Sequence, residues 1–332
     1  MVGGTDLGGL LALLSAATFA FNNALARRGV LTGTVIQAMS ISVPLGVPVF
    51  LIAALATGAL VHVPGFSTQT LALLSAAGLM HFVWGRYCNY RAVKAVGSNL
   101  AGPLTECSVL VALTLAVLLL GESLTPIKVM GIVLVLAGPA LAIDRPDAKT
   151  KAKPPASDSV FRPRYAEGYT FAILSASGYG VSPILVRFAL GDTDWRTSIA
   201  GGLVSYLAAT VAVAAIILAS GNLRHVLGVK GSTAKWFGLA GLFVGVSQML
   251  RYMALAIAPV TVVTPIQRLS LLFRLFFSLL MNREHEVFHS RMLAGTLVSL
   301  VGAVLLSLSL DMVRDVVPAP DWLAPLFTYR WP

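Results

Sequence analysis

Apolar residues occupy this chain in runs of about twenty, separated by short polar connections, with none of the apolar–polar alternation of a barrel strand. Ten runs are long enough to cross a bilayer as helices, at about 7–26, 35–57, 69–90, 98–120, 125–143, 167–188, 197–220, 234–256, 260–281 and 291–312. Backbone in hydrocarbon must satisfy its own hydrogen bonds, so the pattern predicts an all-α membrane protein. Only the connection 144–166 is long and polar. It carries Lys149, Lys151, Lys153, Pro154 and Pro155 and reads as a flexible basic linker between residues 7–143 and 167–312. The tail, 313–332, holds Trp322, Tyr329 and Trp331, aromatics that favour the membrane interface.

The two halves repeat each other. An offset of 160 lays Leu13-Leu14-Ser15-Ala16 over Ile173-Leu174-Ser175-Ala176, and Leu25-x-Arg27 over Leu185-x-Arg187. An offset of 162 lays Tyr90 over Tyr252, Pro103 over Pro265, Ser108 over Ser270 and Glu122 over Glu284. A further slip of two lays Gly131 and Gly138 over Gly295 and Gly302. Each half has five runs, and an odd number makes the second half enter from the opposite face. The expected architecture is therefore ten transmembrane helices in two inverted five-helix repeats. Transporters built this way hold their substrate near the midplane between repeats.

Composition agrees. Of 332 residues, 57% are hydrophobic and 11% charged, and the mean hydropathy is +0.82. Soluble domains carry about 25% charged residues, so soluble enzymes, nucleic-acid binders and disordered scaffolds are set aside. The net charge of +10 comes from basic residues in short loops, where Lys and Arg report orientation. Side A is the face that holds both termini. Fifteen of the 24 basic residues, Arg27 and Arg28 among them, fall outside the core on side B, five on side A and four within helices. The positive-inside rule then puts side B in the cytoplasm and the termini outside. Cys88 and Cys107 lie in apolar runs and build neither a disulfide framework nor a zinc spacing. The first run follows no basic segment and reads as a retained helix, not a signal peptide.

Tyr90-Arg-Ala-Val-Lys-Ala-Val-Gly-Ser-Asn-Leu-Ala-Gly-Pro-Leu104, then Leu118-Leu-Leu-Gly-Glu122-Ser-Leu-Thr125, then Gly131 and Gly138, resembles the EamA repeat of the drug/metabolite transporter superfamily. The second repeat resembles it more weakly, with Arg283-Glu284 for the Gly-Glu pair. The resemblance covers 7–143 and 167–310. It implies a cavity enclosed by the third, fourth, eighth and ninth helices, with the first and sixth helping to line it. It leaves the substrate open among amino acids, sugars, nucleotide sugars and cations. It also implies cytoplasmic termini, which the charge count opposes; the charge count is followed here.

The charges inside the runs are the candidates for chemistry. Glu106 lies eight residues into the fourth helix, about 12 Å deep, and Arg268 lies eight residues into the ninth. The offset of 162 makes them equivalent, so inversion brings both near the midplane. They read either as a structural ion pair or as cavity residues, with Arg268 binding an anion and Glu106 carrying a proton or competing for the arginine. Asn99, Gly102 and Glu106 share one helix face, and Thr261, Thr264 and Arg268 another. Gln267 points about 100° away from Arg268. Arg86 and Arg251, near helix exits, either snorkel or form an anion vestibule. Arg274 either neutralises Glu106 or meets a lipid phosphate. His81, beside Trp84, is a helix–helix hydrogen bond or a proton relay. Asn22, Asn23 and Tyr179 are further polar groups for the cavity. Glu122 and Glu284 read as folding determinants.

The embedded charges favour a carboxylate or phosphate substrate over a pure cation. The expectation is secondary transport of a small anionic or zwitterionic metabolite, with proton coupling open, in a multi-pass protein of a bacterial inner membrane. Its partners are the substrate and the lipid bilayer, not nucleic acid, and monomer and homodimer both stay open. No nucleotide, metal or other cofactor is expected. Export of cationic or drug-like compounds is the alternative. His285-Glu286-Val287-Phe288-His289 also matches HExxH, which on a helix would bind zinc; an intramembrane protease using His285, Glu286 and His289 is the remote reading.

Overall fold

The computed structural model describes residues 4–120, 125–142, 161–190, 194–257, 263, 266–307 and 324–329. Among these there are helices and no strands. Five segments are long and apolar enough to cross a membrane: Leu7–Thr32, Val35–Thr57, Thr68–Leu119, Tyr165–Leu190 and Trp195–Ala219. Pro126–Leu141 and Ser290–Leu306 are shorter apolar helices. The protein is thus an all-helical, multi-pass membrane protein. Among the described residues, five long spans and two shorter apolar helices stand beside the expected ten, which they do not confirm. The third and fourth runs are counted as one segment that bends at Gly97, the ninth is described only at 263 and 266–281, and Ser247, Gln248 and Arg251 dilute the eighth.

The elements are α1 (Gly4–Thr32), α2 (Val35–Ser42), α3 (Gly46–Thr57), α4 (Thr68–Gly78), α5 (Arg86–Thr105), α6 (Ser108–Leu120), α7 (Pro126–Ala142), α8 (Tyr165–Leu190), α9 (Trp195–Ala219), α10 (Leu223–Leu227), α11 (Gly231–Ile257), α12 (Ser270–Met281), α13 (Ser290–Ser307) and α14 (Ala324–Thr328). A wide π-helical stretch, Leu79–Gly85, joins α4 to α5. Within α5 the chain reverses at Gly97, whose φ of 84° suits glycine. The expected third and fourth runs are the two legs of this bend.

Packing follows the repeat. The tightest seams are α1 with α11, α5 with α8, and α7 with α13. Glycine lets backbones approach where lipid offers no hydrophobic drive. A Cβ on Gly78 would strike the Ser205 backbone, and one on Gly241 would lie 2.7 Å from Ser42 Cα. Both contacts obey an offset of 163. On the α7–α13 seam, a Cβ on Gly131 would lie 2.9 Å from the Gly302 carbonyl oxygen, and one on Gly138 would lie 2.6 Å from that of Gly295. Those pairs exchange under a two-fold rotation of the halves, so the repeat seen in sequence is also a repeat of contacts.

Candidate functional site

The local backbone explains why Glu106 and Arg268 meet. Proline at 103 has no N–H to donate, and the helix tightens just beyond it. Cys107 N bonds to Leu104 O at 3.1 Å and Leu110 N to Cys107 O at 3.0 Å. At an offset of 162 the same bonds recur, Leu269 N to Ile266 O and Leu272 N to Leu269 O, each at 3.0 Å. The first break lies between α5 and α6 and the second just before α12, and each carries one of the two charged side chains. Arg268 Nη1 donates to Glu106 Oε2 at 2.8 Å, with the arginine side chain 24% exposed and the glutamate 9%.

The pair lines a cavity of about 230 Å³. Its walls come from α1 (Ser15, Ala16, Phe19), the π stretch (His81), the α5–α6 break and α6, α8 (Tyr179, Pro183), α11 (Ser247, Gln248, Arg251), and the segment from Gln267 into α12. These are the six expected lining helices. Arg251, Arg268 and Arg274 supply three cationic side chains and Glu106 one anionic, a net +2 among the described lining residues. Arg274 is buried and donates through Nη1 to the Ser98 carbonyl at 3.3 Å. Its Nε, like that of Arg268, is buried without a hydrogen-bond partner. Three guanidinium groups around one hollow suit an incoming oxyanion. Small hydroxyls complete the wall. Ser15 Oγ donates to the Ser247 carbonyl at 2.9 Å, and Gln267 Nε2 donates to Ser15 Oγ at 3.3 Å.

The other sequence candidates divide. His81 lines the cavity and packs against Tyr179 with ring centres 4.6 Å apart and planes tilted by 41°. The π stretch leaves carbonyls free, and Ser175 Oγ takes that of Gly85 at 2.9 Å. Trp84, on the same stretch, faces outward. It is 44% exposed, and its indole N–H donates to the Leu174 carbonyl at 3.0 Å. Arg86 neither snorkels nor lines the cavity. It is buried, donating to the Ser42 carbonyl at 3.1 Å and to the Tyr206 hydroxyl at 3.2 Å, so it ties α5 to α2 and α9. Asn99 is also off the cavity, because its backbone N–H donates to Glu286 Oε2 at 3.0 Å. Gln267 does reach the lining, since the break beside it rotates the ideal helical position. Asn22 and Asn23 are buried but do not line the cavity, Asn23 accepting from Asn89 at 3.3 Å. Thr264, with Thr261, Pro265 and Glu122, lies outside the described residues.

The HExxH residues do not form the helix that zinc binding requires. Arg283–His285 is one turn of 3-10 helix, and Glu286 is extended, with φ −126° and ψ 153°. Two imidazoles four apart therefore do not share a face. His289 Nδ1 accepts from the Met292 N–H at 3.0 Å, capping α13. Burial, then the nearby Arg27 and Arg28, lower the His285 imidazole below its ordinary range. Glu286 is committed elsewhere: it accepts from Ser98 N at 2.7 Å, Ser98 Oγ at 2.7 Å and Asn99 N at 3.0 Å. Sequence reasoning missed these contacts and misplaced Arg27 as a loop charge. Arg27 is fully buried, donating to the Val93 carbonyl at 2.7 Å and the Lys94 carbonyl at 3.1 Å.

The profile of the EamA-like transporter family matches residues 6–143 and 166–308. No curated protein matches the chain in sequence. A solved structure, described as "Crystal structure of protein", is 19% identical and aligns over 94% of this chain and 99% of its own at a TM-score of 0.59. That likeness is one of fold.

Proposed function

The chain belongs to the EamA-like transporter family, and from that premise we propose that it moves a small anionic or zwitterionic metabolite by alternating access. The supporting observation is the Glu106–Arg268 pair at 2.8 Å in a cavity with two further arginines. Removing two charges from water is costly, and a lone guanidinium there would cost more. Glu106 therefore acts as a resident anion. A substrate carboxylate or phosphate replaces it on Arg268, and the released Glu106 takes a proton. Anion and proton then bind together and leave together. The five-run halves, at 7–143 and 167–312, rock around this site.

Orientation with side B in the cytoplasm remains part of this reading. Removing buried Arg27 from the loop charges leaves the excess on that side intact. The reading for cations or drugs needs Glu106 and aromatics such as Trp84 and Tyr179 to dominate the site. Glu106 and Tyr179 do line the cavity, but three arginines outnumber the one carboxylate and Trp84 is turned away, which favours the anion reading. Uptake of radiolabelled carboxylates, phosphates, zwitterions and organic cations into proteoliposomes tests the proposal. The expected result is flux of an anion or zwitterion, competed by anions and lost in Arg268→Ala. Flux competed by organic cations alone, and unchanged in Arg268→Ala, would overturn it.

A further inference from the structure

The cavity's lining lies around the middle of the bundle: Tyr179, Pro183 and Ser247 to Arg251 come from the side-A halves of their runs, and Glu106 and Arg274 from the side-B halves of theirs. At the side-B end, three segments converge on one buried carboxylate. Glu286, from the connection between α12 and α13, caps the second leg of α5 through Ser98 and Asn99. Arg27, near the end of α1, holds the His285 carbonyl and approaches Glu286 Oε1 at 3.7 Å, both side chains fully buried. Gly97 makes the approach feasible, since a Cβ there would collide with Glu286 Oε2. The contacts join the first repeat to the second where the cavity would have to open to side B.

One residue belongs to both places. Arg274 lines the cavity and donates to the Ser98 carbonyl, while the N–H and hydroxyl of Ser98 hold Glu286. We propose that Arg27, Glu286 and Ser98 form the side-B gate of the transport cycle, and that Arg274 links its opening to an anion in the cavity. An anion on Arg274 draws the guanidinium off the Ser98 carbonyl. The turn at Gly97 then loses a brace, and the capped carboxylate can part from it. This rests on the transport reading above, but the gate is testable without a substrate.

The test uses full-length protein in oriented vesicles, with Cys88 and Cys107 replaced and Ser270, a cavity residue, changed to cysteine (Ser270→Cys). A membrane-impermeant maleimide is applied to one side at a time. Labelling from side A is expected to be fast and from side B slow. Glu286→Gln should raise side-B labelling about tenfold, the population change that follows loss of a charge-assisted hydrogen bond. Ser98→Ala, which keeps the turn and removes one hydroxyl, and Arg274→Gln should each raise it about threefold, as loss of one weaker bond does. Slow labelling from side A as well would sink the cavity reading itself. Fast side-A labelling with side-B rates unchanged in Glu286→Gln and Ser98→Ala would overturn the gate. A change in those two but not in Arg274→Gln would remove Arg274 from the link.

Discussion

Among the described residues three ion pairs join the halves, and two of them, Glu106–Arg268 and Arg27–Glu286, have opposite surroundings. Glu106 and Arg268 meet at 2.8 Å, the arginine side chain a quarter exposed, beside a cavity that Arg251 and Arg274 also line. Arg27 and Glu286 stand at 3.7 Å with both side chains fully buried, and nearly every polar atom of each is spoken for by backbone. A pair with one partly exposed member and other cations close by can exchange partners at modest cost. A dry pair woven into three segments acts as a lock, because separating it strands a charge. Similar chemistry thus serves a site in one place and a closure in the other.

Breaking the dry pair should show the largest effect. Glu286→Ala leaves Arg27 uncompensated and is expected to lower stability by about 3–5 kcal/mol, read by denaturant unfolding in detergent. A loss below about 1 kcal/mol, the range of exposed pairs, would mean that the two pairs do not differ. Gly97→Ala attacks the same lock through backbone. A positive φ and the carboxylate behind it predict a loss of about 1–3 kcal/mol, and Ala at this position with wild-type stability would show that the bend adjusts freely. Arg268→Ala should reverse the balance of effects, abolishing anion uptake while costing less stability than Glu286→Ala, because Arg251 and Arg274 still face the Glu106 it leaves behind. Equal loss of fold and flux would make that pair structural. Trp84→Phe should do least. It removes one half-exposed hydrogen bond, worth about 0.5 kcal/mol, and unchanged uptake kinetics would confirm that the indole lies outside the cavity.

The cavity pair was legible in the sequence because charge is rare in apolar runs, and because an offset of 162 matched Glu106 to Arg268. The six lining helices followed from the family resemblance. Ser15, Ser108, Ser247 and Ser270 were harder to read, since a helix serine that faces a hollow resembles one that bonds its neighbour. The lock was not legible. Arg27 stands at the end of an apolar run and looks like a topology signal, while Glu286 sits in a motif that suggests a metal. Their roles depend on a turn at Gly97 that apolar periodicity cannot reveal. Arg86 misled for a related reason: its place near a helix exit says nothing of the Ser42 carbonyl and Tyr206 hydroxyl that capture it.

The exchange of Glu106 for substrate on Arg268 is tested most directly by counting protons. Binding of the transported anion to purified protein is followed by calorimetry in buffers of different ionisation enthalpy. Wild type should take up protons as it binds the anion, as the proposed exchange requires. Glu106→Gln should take up none and bind the anion more tightly. Equal proton uptake in both proteins, or weaker binding in Glu106→Gln, would contradict the account.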